Sequence, residues 1–242
     1  MKLPEAWQLP AEIKNRFGRK SAGKQRAMLA ENHLLLVLHQ APQPGEVQRH
    51  SRFFWRNPEG EWQASGRSSG FAALRKHIQD YESATETLYQ RYEEAQVAAD
   101  YFQLLEDLMP LYRAAQNLRT TLQQAREGVK GDRDIIDLRD TAETIERSLE
   151  LLQIDAKHAL DYKIAQQAEA QSQLSLQSLK TAHRLNILAA VFFPLTAISC
   201  VFGMNIPNGF ESSSIWLFWL VFLGGISLGF VVRRWAVDGK LL

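Results

Sequence analysis

The polar residues in the longest apolar stretch of the chain are its best candidates for a functional site. This stretch runs from Leu185 to Asn205, and as a helix its roughly 20 residues would cross a hydrocarbon core of about 30 Å. Thr196 lies inside it, and Asn205 ends it, where an apolar helix should reach water. Asn205 could be an ordinary helix C-cap, and Thr196 could bond the carbonyl four residues earlier. The pattern predicts hydrogen bonding at the end of a membrane helix rather than catalysis.

A second apolar run, from Ile215 to Val232, completes a helical hairpin. Between Leu185 and Val232 the only charged side chain is Glu211, which favours two membrane-spanning helices over a buried soluble hairpin. Basic residues precede the first run and follow the second: Lys180, His183, Arg184, Arg233, Arg234 and Lys240. The positive-inside rule therefore predicts an integral protein of the inner or plasma membrane, with both termini cytoplasmic, residues 206–214 outside and a basic cytoplasmic tail over 233–242.

Composition excludes several classes of function. The net charge of +1 over 242 residues gives no electrostatic basis for binding nucleic acid. The single cysteine, Cys200, can form neither an intramolecular disulfide nor a cysteine-rich zinc site. No phosphate-binding loop, nucleophile–base pair or metal-ligand cluster stands out, so the sequence predicts no enzyme. No apolar signal segment opens the chain, and we therefore expect its N-terminal part in the cytoplasm.

Residues 1–69 are predicted to form a short cytoplasmic region with a small sheet. Residues 1–33 are polar and basic, which favours a solvated surface or a loose arm and leaves contact with acidic lipid headgroups as the alternative. Residues 34–40 suit a buried strand, and residues 53–64 suit a hairpin around a turn at 57–60. A sheet of this size is too small to be an independent domain with a large core.

Two long helical segments are predicted next, which makes the chain mainly α with a small N-terminal β element. Apolar residues at three- and four-residue steps predict a helical arm over residues 70–131, with a kink or break at Pro110. A stalk helix over 132–184 would start at a cap formed by Asp132 or Asp134. Its heptad seam predicts a partner helix, either the arm folded back or other subunits: Ile135, Leu138, Ala142, Ile145, Leu149, Leu152, Ala156 and Ala159.

The later part of the stalk has a different composition. From Gln166 to Ser178 it is rich in Gln and Ser. A seam of such residues in parallel copies would hydrate a passage better than it would pack dry. The sequence thus indicates that this part of the stalk borders water.

Several short motifs resemble the CorA-type magnesium channel family. Pro194-Leu195-Thr196 is followed by Gly203-Met204-Asn205, which is similar to the family's signature at the outer end of the first of two C-terminal membrane helices. Met109-Pro110-Leu111 and Leu138-Arg139-Asp140 resemble family motifs at a helix kink and at the stalk start. The resemblance extends from Leu104 to Trp235.

This resemblance implies a homopentameric funnel in the lipid bilayer, with the helix over 185–205 of each subunit lining the pore and the helix over 215–232 as the second membrane span. The selectivity filter at the outer mouth would be Gly203, Met204 and Asn205, with Gly203 allowing a tight turn. Three residues would line the pore, and a proline would relax the helix beside them: Thr196, Phe193 and Ala189, and Pro194. Phe193 and Ala189 could instead contact lipid or another helix.

Mg²⁺ is the ion that the resemblance implies, as transported ion and possible gating ligand. It gives up its waters reluctantly, so a ring of neutral amides that hydrogen-bonds the hydrated ion avoids the dehydration cost. Transport of Zn²⁺, Co²⁺ or Ni²⁺ is an alternative. A membrane-anchored coiled-coil scaffold with a degenerate pore is another, because the cytoplasmic part is shorter than is usual in the family. Acidic residues that could bind a regulatory metal match no motif, and we expect them on solvated helix faces: Glu93, Glu94, Asp155, Asp161 and Glu169.

Overall fold

The computed structural model describes residues 3–4, 6–17, 23–45, 49–66, 70–203 and 215–238. Its elements, in chain order, are α1 (Ala11–Asn15), β1 (Arg26–Ala30), β2 (His33–His39), β3 (Ser51–Arg56), β4 (Trp62–Ala64), α2 (Gly70–Glu94), α3 (Ala98–Gly128), α4 (Arg133–Phe202) and α5 (Ile215–Asp238). The chain forms two compact units, Met1–Ala165 and Gln166–Leu242. The structure is mainly α with a small N-terminal sheet, as the sequence predicts. The division into arm, stalk and membrane segments stays a prediction.

The sheet is antiparallel, with the strand order β1-β2-β3-β4. Its central strand β2 is buried on both faces, which explains why its sequence is continuously apolar instead of alternating. Leu34, Leu36 and Leu38 belong to the core shared with the long helices. Leu35 and Val37 point to the opposite face and belong to a second, smaller core, as the two-residue period of a strand requires.

The N-terminal residues cover that second face. Trp7, Leu9 and Ile13 are buried against it, and the rings of Trp7 and Trp55 lie 5.7 Å apart between centroids. The prediction of a solvated or loose arm is therefore wrong for this segment and for β1, which pairs with β2 through Met28 and Leu35. This region is rich in charged residues, but its few apolar side chains determine how it folds. They cover the second face of the sheet, which would otherwise expose large apolar side chains to water.

The helical arm breaks between α2 and α3, not at Pro110. Pro110 lies inside α3, which continues through it, so of the kink or break predicted at this residue the break is wrong and the kink stays a prediction. The chain turns instead at Ala95–Val97, where the Asp100 carboxylate accepts hydrogen bonds from the N–H groups of Gln96 (2.9 Å) and Val97 (3.0 Å). This carboxylate satisfies donors that the first turn of a helix leaves free. These hydrogen bonds hold the pKa of Asp100 below its ordinary value.

The first part of α4 packs back against α2 and α3. Asp132 caps it, since its Oδ1 accepts from the N–H groups of Asp134 (3.1 Å) and Ile135 (3.3 Å). The predicted seam is buried from Ile135 to Ala156, and Tyr89 of α2 donates a hydrogen bond to the Ser148 carbonyl at 3.0 Å. The partner of the seam is thus the arm of the same chain, which decides between the two alternatives left by the sequence.

Beyond Ala156 the environment of α4 changes. Within the described span Lys157–Asn186, no side chain is buried. Large apolar side chains stand exposed here, among them Tyr162 (65 %) and Leu174 (65 %). The Gln- and Ser-rich stretch is exposed throughout, as a segment bordering water would be.

Candidate functional site

The candidate site lies in the apolar end of α4. Among the described residues, one helix, α4, is long and apolar enough to cross a membrane. The described part of α5 contributes a shorter apolar segment, Trp219–Val231. The predicted pore-lining residues lie on α4, and α5 is its partner in this helix pair.

Two glycines of α5 allow it to approach α4 closely. Gly225 and Gly229 are four residues apart and therefore share one helix face. A Cβ built on Gly229 would lie 2.9 Å from the Val191 carbonyl oxygen and 3.0 Å from the Val191 Cα, and one on Gly225 would lie 3.1 Å from Leu195 Cδ1. Small residues at this spacing are the usual device for close packing of membrane helices. The sequence prediction missed this contact, although the glycine spacing signals it.

The predicted pore-lining residues fall on the other side of α4. Val191 and Leu195 define the face toward α5. At about 100° per residue, Ala189, Phe193 and Thr196 lie roughly 140–200° around the helix from Val191. Phe193 is 71 % exposed, Thr196 is exposed and Ala189 is half-buried. Phe193 and Thr196 therefore lie on a face that the described part of α5 does not cover, and Ala189, which shares their stripe by helix geometry, is less exposed.

The Thr196 hydroxyl is engaged within its own helix. Its Oγ1 donates to the Phe192 carbonyl oxygen at 2.8 Å, which is the local bond that the sequence left as an alternative to pore lining. The oxygen lone pairs of the hydroxyl stay available as acceptors. Because the water shell of a cation presents its hydrogens outward, an acceptor is what such an ion would need from this residue.

Pro194 does not interrupt α4, which continues through it to Phe202. It lacks the N–H that would bond the carbonyl four residues earlier. At the helix end, Gly203 donates its N–H to the Ser199 carbonyl at 2.9 Å, and its φ lies outside the left-handed region. The tight turn expected at Gly203 would continue into residues 204 and 205, so it stays a prediction. Met204 and Asn205, the rest of the predicted filter, lie outside the described residues.

The acidic residues considered as regulatory metal ligands are dispersed. Glu93, Glu94, Asp155, Asp161 and Glu169 are all exposed. Within the described ranges no group of three or more His, Cys, Asp or Glu side chains is placed to hold a metal ion. Asp155 lies close enough to two tyrosines of α2 to add to the rise in their pKa that burial causes, as seen for Tyr89 and Tyr92.

A small sheet, a helical arm and a glycine-packed pair of apolar helices define a mainly α protein with a C-terminal helix pair. The sequence matches the family described as CorA-like Mg2+ transporter protein over residues 19–235. The chain belongs to this family, whose members are membrane-bound transporters or channels and not enzymes.

Solved structures of similar proteins include the following two chains. The full-length CmaX protein aligns with a TM-score of 0.46 and 14 % identity, over 89 % of this chain and 78 % of that chain. The CorA magnesium transporter from Methanocaldococcus jannaschii aligns with a TM-score of 0.38 and 13 % identity, over 90 % of this chain and 80 % of that chain. No curated protein sequence matches the chain significantly.

Proposed function

We propose that this protein is a divalent-cation channel that conducts Mg²⁺ passively through a homopentameric pore. Membership of the CorA-like transporter family supports the transport of a divalent cation. The observation that carries the pore is the two-sided environment of the apolar part of α4. One side packs on the glycines of α5 at Val191, while the stripe with Phe193 and Thr196 has no cover from α5.

In this proposal the stripe of α4 lines the pore and Gly203, Met204 and Asn205 form its outer mouth. Asn205 offers a neutral amide oxygen that accepts hydrogen bonds from the waters of a hydrated cation. Mg²⁺ keeps its waters more firmly than Ca²⁺ does, so a filter that recognises the hydrated ion avoids the cost of stripping it. An inside-negative potential drives entry by about 2.3 kcal/mol per charge for each 100 mV, and no ATP is needed.

Self-association is supported by the segment of α4 that has no partner in its own unit. Leucines recur there at exposed positions: Leu174, Leu176 and Leu179. Several exposed leucines close together on one helix favour its contact with copies of the same helix. The proposal places α4 and α5 across the bilayer with both termini in the cytoplasm, as the basic flanks of the two apolar runs predict.

The test is Mg²⁺ influx into proteoliposomes that hold the full-length protein, with a fluorescent Mg²⁺ indicator inside and an inside-negative potential. Asn205→Ala is compared with Asn208→Ala, which removes an identical amide three positions further along the chain. We expect influx with the unmodified protein and with Asn208→Ala. Asn205→Ala should lose Mg²⁺ influx or its selectivity over Na⁺ while the protein still assembles, as size-exclusion chromatography would show.

Other outcomes distinguish the alternatives. Influx of Zn²⁺, Co²⁺ or Ni²⁺ without Mg²⁺ would support the proposed pore but contradict Mg²⁺ as the transported ion. No flux of any divalent cation, with correctly inserted protein, would contradict the channel and favour a membrane-anchored scaffold. Equal flux in Asn205→Ala and Asn208→Ala would contradict the assignment of the filter to Asn205.

A further inference from the structure

A cavity of about 230 Å³ opens in the N-terminal unit between the end of β2 and the middle of α3. Its polar wall is formed by Gln25, His39, Arg49, His50, Arg113 and Asn117. The cavity is smaller than the roughly 300–1,000 Å³ of pockets for drug-sized ligands. Its size therefore suits a small ion with a few waters better than a large organic ligand.

Among the described residues that line this cavity, the permanently charged groups have one sign. They are Arg49 and Arg113, and none of these described lining residues is a carboxylate. Neither guanidinium forms an ion pair with another residue of the described part of the chain. A neighbouring cavity shows the contrast: there Arg91 is held by Asp107 at 2.8 Å. The smaller cavity is thus lined by two arginines without an ion-pair partner among the described residues.

Burial and the positive charges near this cavity lower the pKa of a histidine in its wall. Burial lowers the pKa of His39, and the charges of Arg49 and Arg26 lower it further. The Nε2 atom of His39 lies 3.0 Å from the Gly23 carbonyl oxygen. Cavity walls of low dielectric focus the potential of such charges and raise the local concentration of anions.

The wall is also held in place by hydrogen bonds within the unit. Gln25 Nε2 donates to the Ala114 carbonyl of α3 at 2.9 Å. The Gln40 N–H donates to the His50 carbonyl at 2.8 Å, which ties together the two ends of the connection between β2 and β3. Because these hydrogen bonds already order part of the wall, binding an ion costs it little further conformational entropy.

We propose that this cavity is a binding site for an oxyanion of the phosphate class, with Arg49 and Arg113 as the charged ligands. Planar guanidinium groups present paired N–H donors that match phosphate oxygens. Asn117 and the imidazole of His50 supply further polar edges at the same wall. The site uses residues of the N-terminal unit alone, so it stands independently of the pore proposed for α4.

The test is calorimetric titration of inorganic phosphate into the full-length protein in nanodiscs of neutral phosphatidylcholine, at constant ionic strength set with chloride. We expect saturable binding that weakens at least about tenfold in Arg113→Gln and in Arg49→Gln, since each loses a charge-assisted hydrogen bond. Both side chains are exposed at the cavity mouth, so the variants should fold normally. Arg147→Gln, which alters an exposed arginine of α4 outside the cavity, is the matched control and should bind as the unmodified protein does.

A second arm separates a free phosphate from a lipid headgroup. The titration is repeated in nanodiscs containing phosphatidic acid, with phosphatidylglycerol as the control for surface charge. Suppression of phosphate binding by phosphatidic acid alone would identify a phosphomonoester headgroup as the occupant, whereas unchanged binding would identify a soluble anion. Absence of saturable phosphate binding, or equal affinity in Arg113→Gln and the unmodified protein, would overturn the site even if Mg²⁺ flux is normal.

Discussion

The contact between α4 and α5 can be tested by adding single methyl groups along α5. In Gly229→Ala the new Cβ would meet backbone atoms of Val191 at 2.9 and 3.0 Å. In Gly225→Ala it would meet mainly the flexible end of Leu195 at 3.1 Å, and in Gly224→Ala it would meet nothing within 4 Å. The three substitutions gain the same helix propensity, so their differences report the helix contact alone.

The expected size of the effect follows from these distances. Carbon atoms pack best at about 3.5–4.0 Å, so Gly229→Ala must push the two helices apart by roughly 0.5–1 Å. Overpacking of this kind costs about 1–3 kcal/mol, and in a chain of this size 1 kcal/mol corresponds to about 2–4 °C in Tm. Relative to Gly224→Ala, which gains the same helix propensity, Gly229→Ala should therefore lower Tm by about 2–12 °C and Gly225→Ala by less. Gly224→Ala should leave it unchanged or raise it.

The assay is thermal unfolding of the purified full-length protein in detergent, followed by tryptophan fluorescence. Three of the six tryptophans lie in α5, and one of them, Trp219, packs edge-on against Phe222 at 6.0 Å between ring centroids, so part of the signal comes from the helix concerned. An equal change of Tm in Gly229→Ala and Gly224→Ala would refute the close approach of α5 to Val191. A larger loss in Gly224→Ala would show that a different face of α5 meets α4.

Two further predictions concern the N-terminal unit. Burial lowers the pKa of His77 from 6.5 to about 4, so below pH 6.5 the unfolded chain binds a proton that the native state does not. The free energy of unfolding should therefore fall by about 2 kcal/mol between pH 7 and pH 5. Urea midpoints should show this loss, and His77→Gln should reduce it. Asp132 both caps α4 and accepts a hydrogen bond from Arg56 Nε at 3.0 Å, so Asp132→Ala should cost about 1–3 kcal/mol. Asp132→Asn should retain the cap and cost less, and Asp134→Ala should cost least; equal losses in all three would contradict the double role.

The long-range pattern of the helices could be predicted from the sequence because it rests on periodicity. The heptad seam is buried from Ile135 to Ala156, since a stripe of apolar residues must find a partner whatever the rest of the fold does. The strand over residues 33–39 could be predicted for a similar reason, because a continuous apolar run with few alternatives to burial favours a central strand.

Features that depend on one or two residues could not be predicted. The turn between α2 and α3 contains neither Gly nor Pro and depends on the Asp100 carboxylate, while Pro110, the stronger signal, is accommodated within α3. Burial of Trp7 and Ile13 depends on a sheet face that exists only after β1 has paired with β2. The candidate pore residues could be placed on a stripe, but the face that α5 covers emerged only from the contacts of Gly225 and Gly229.

The length of α3 explains where the buried part of α4 ends. The ion pair between Arg119 and Glu146 fixes α3 and α4 as antiparallel neighbours joined by a short turn. Because α3 has 31 residues and both helices rise about 1.5 Å per residue, α3 can accompany α4 only for about its first 30 residues. Burial of the seam indeed ends at Ala156. Further along α4, apolar residues such as Leu174 are exposed, and this exposure supports the proposed self-association.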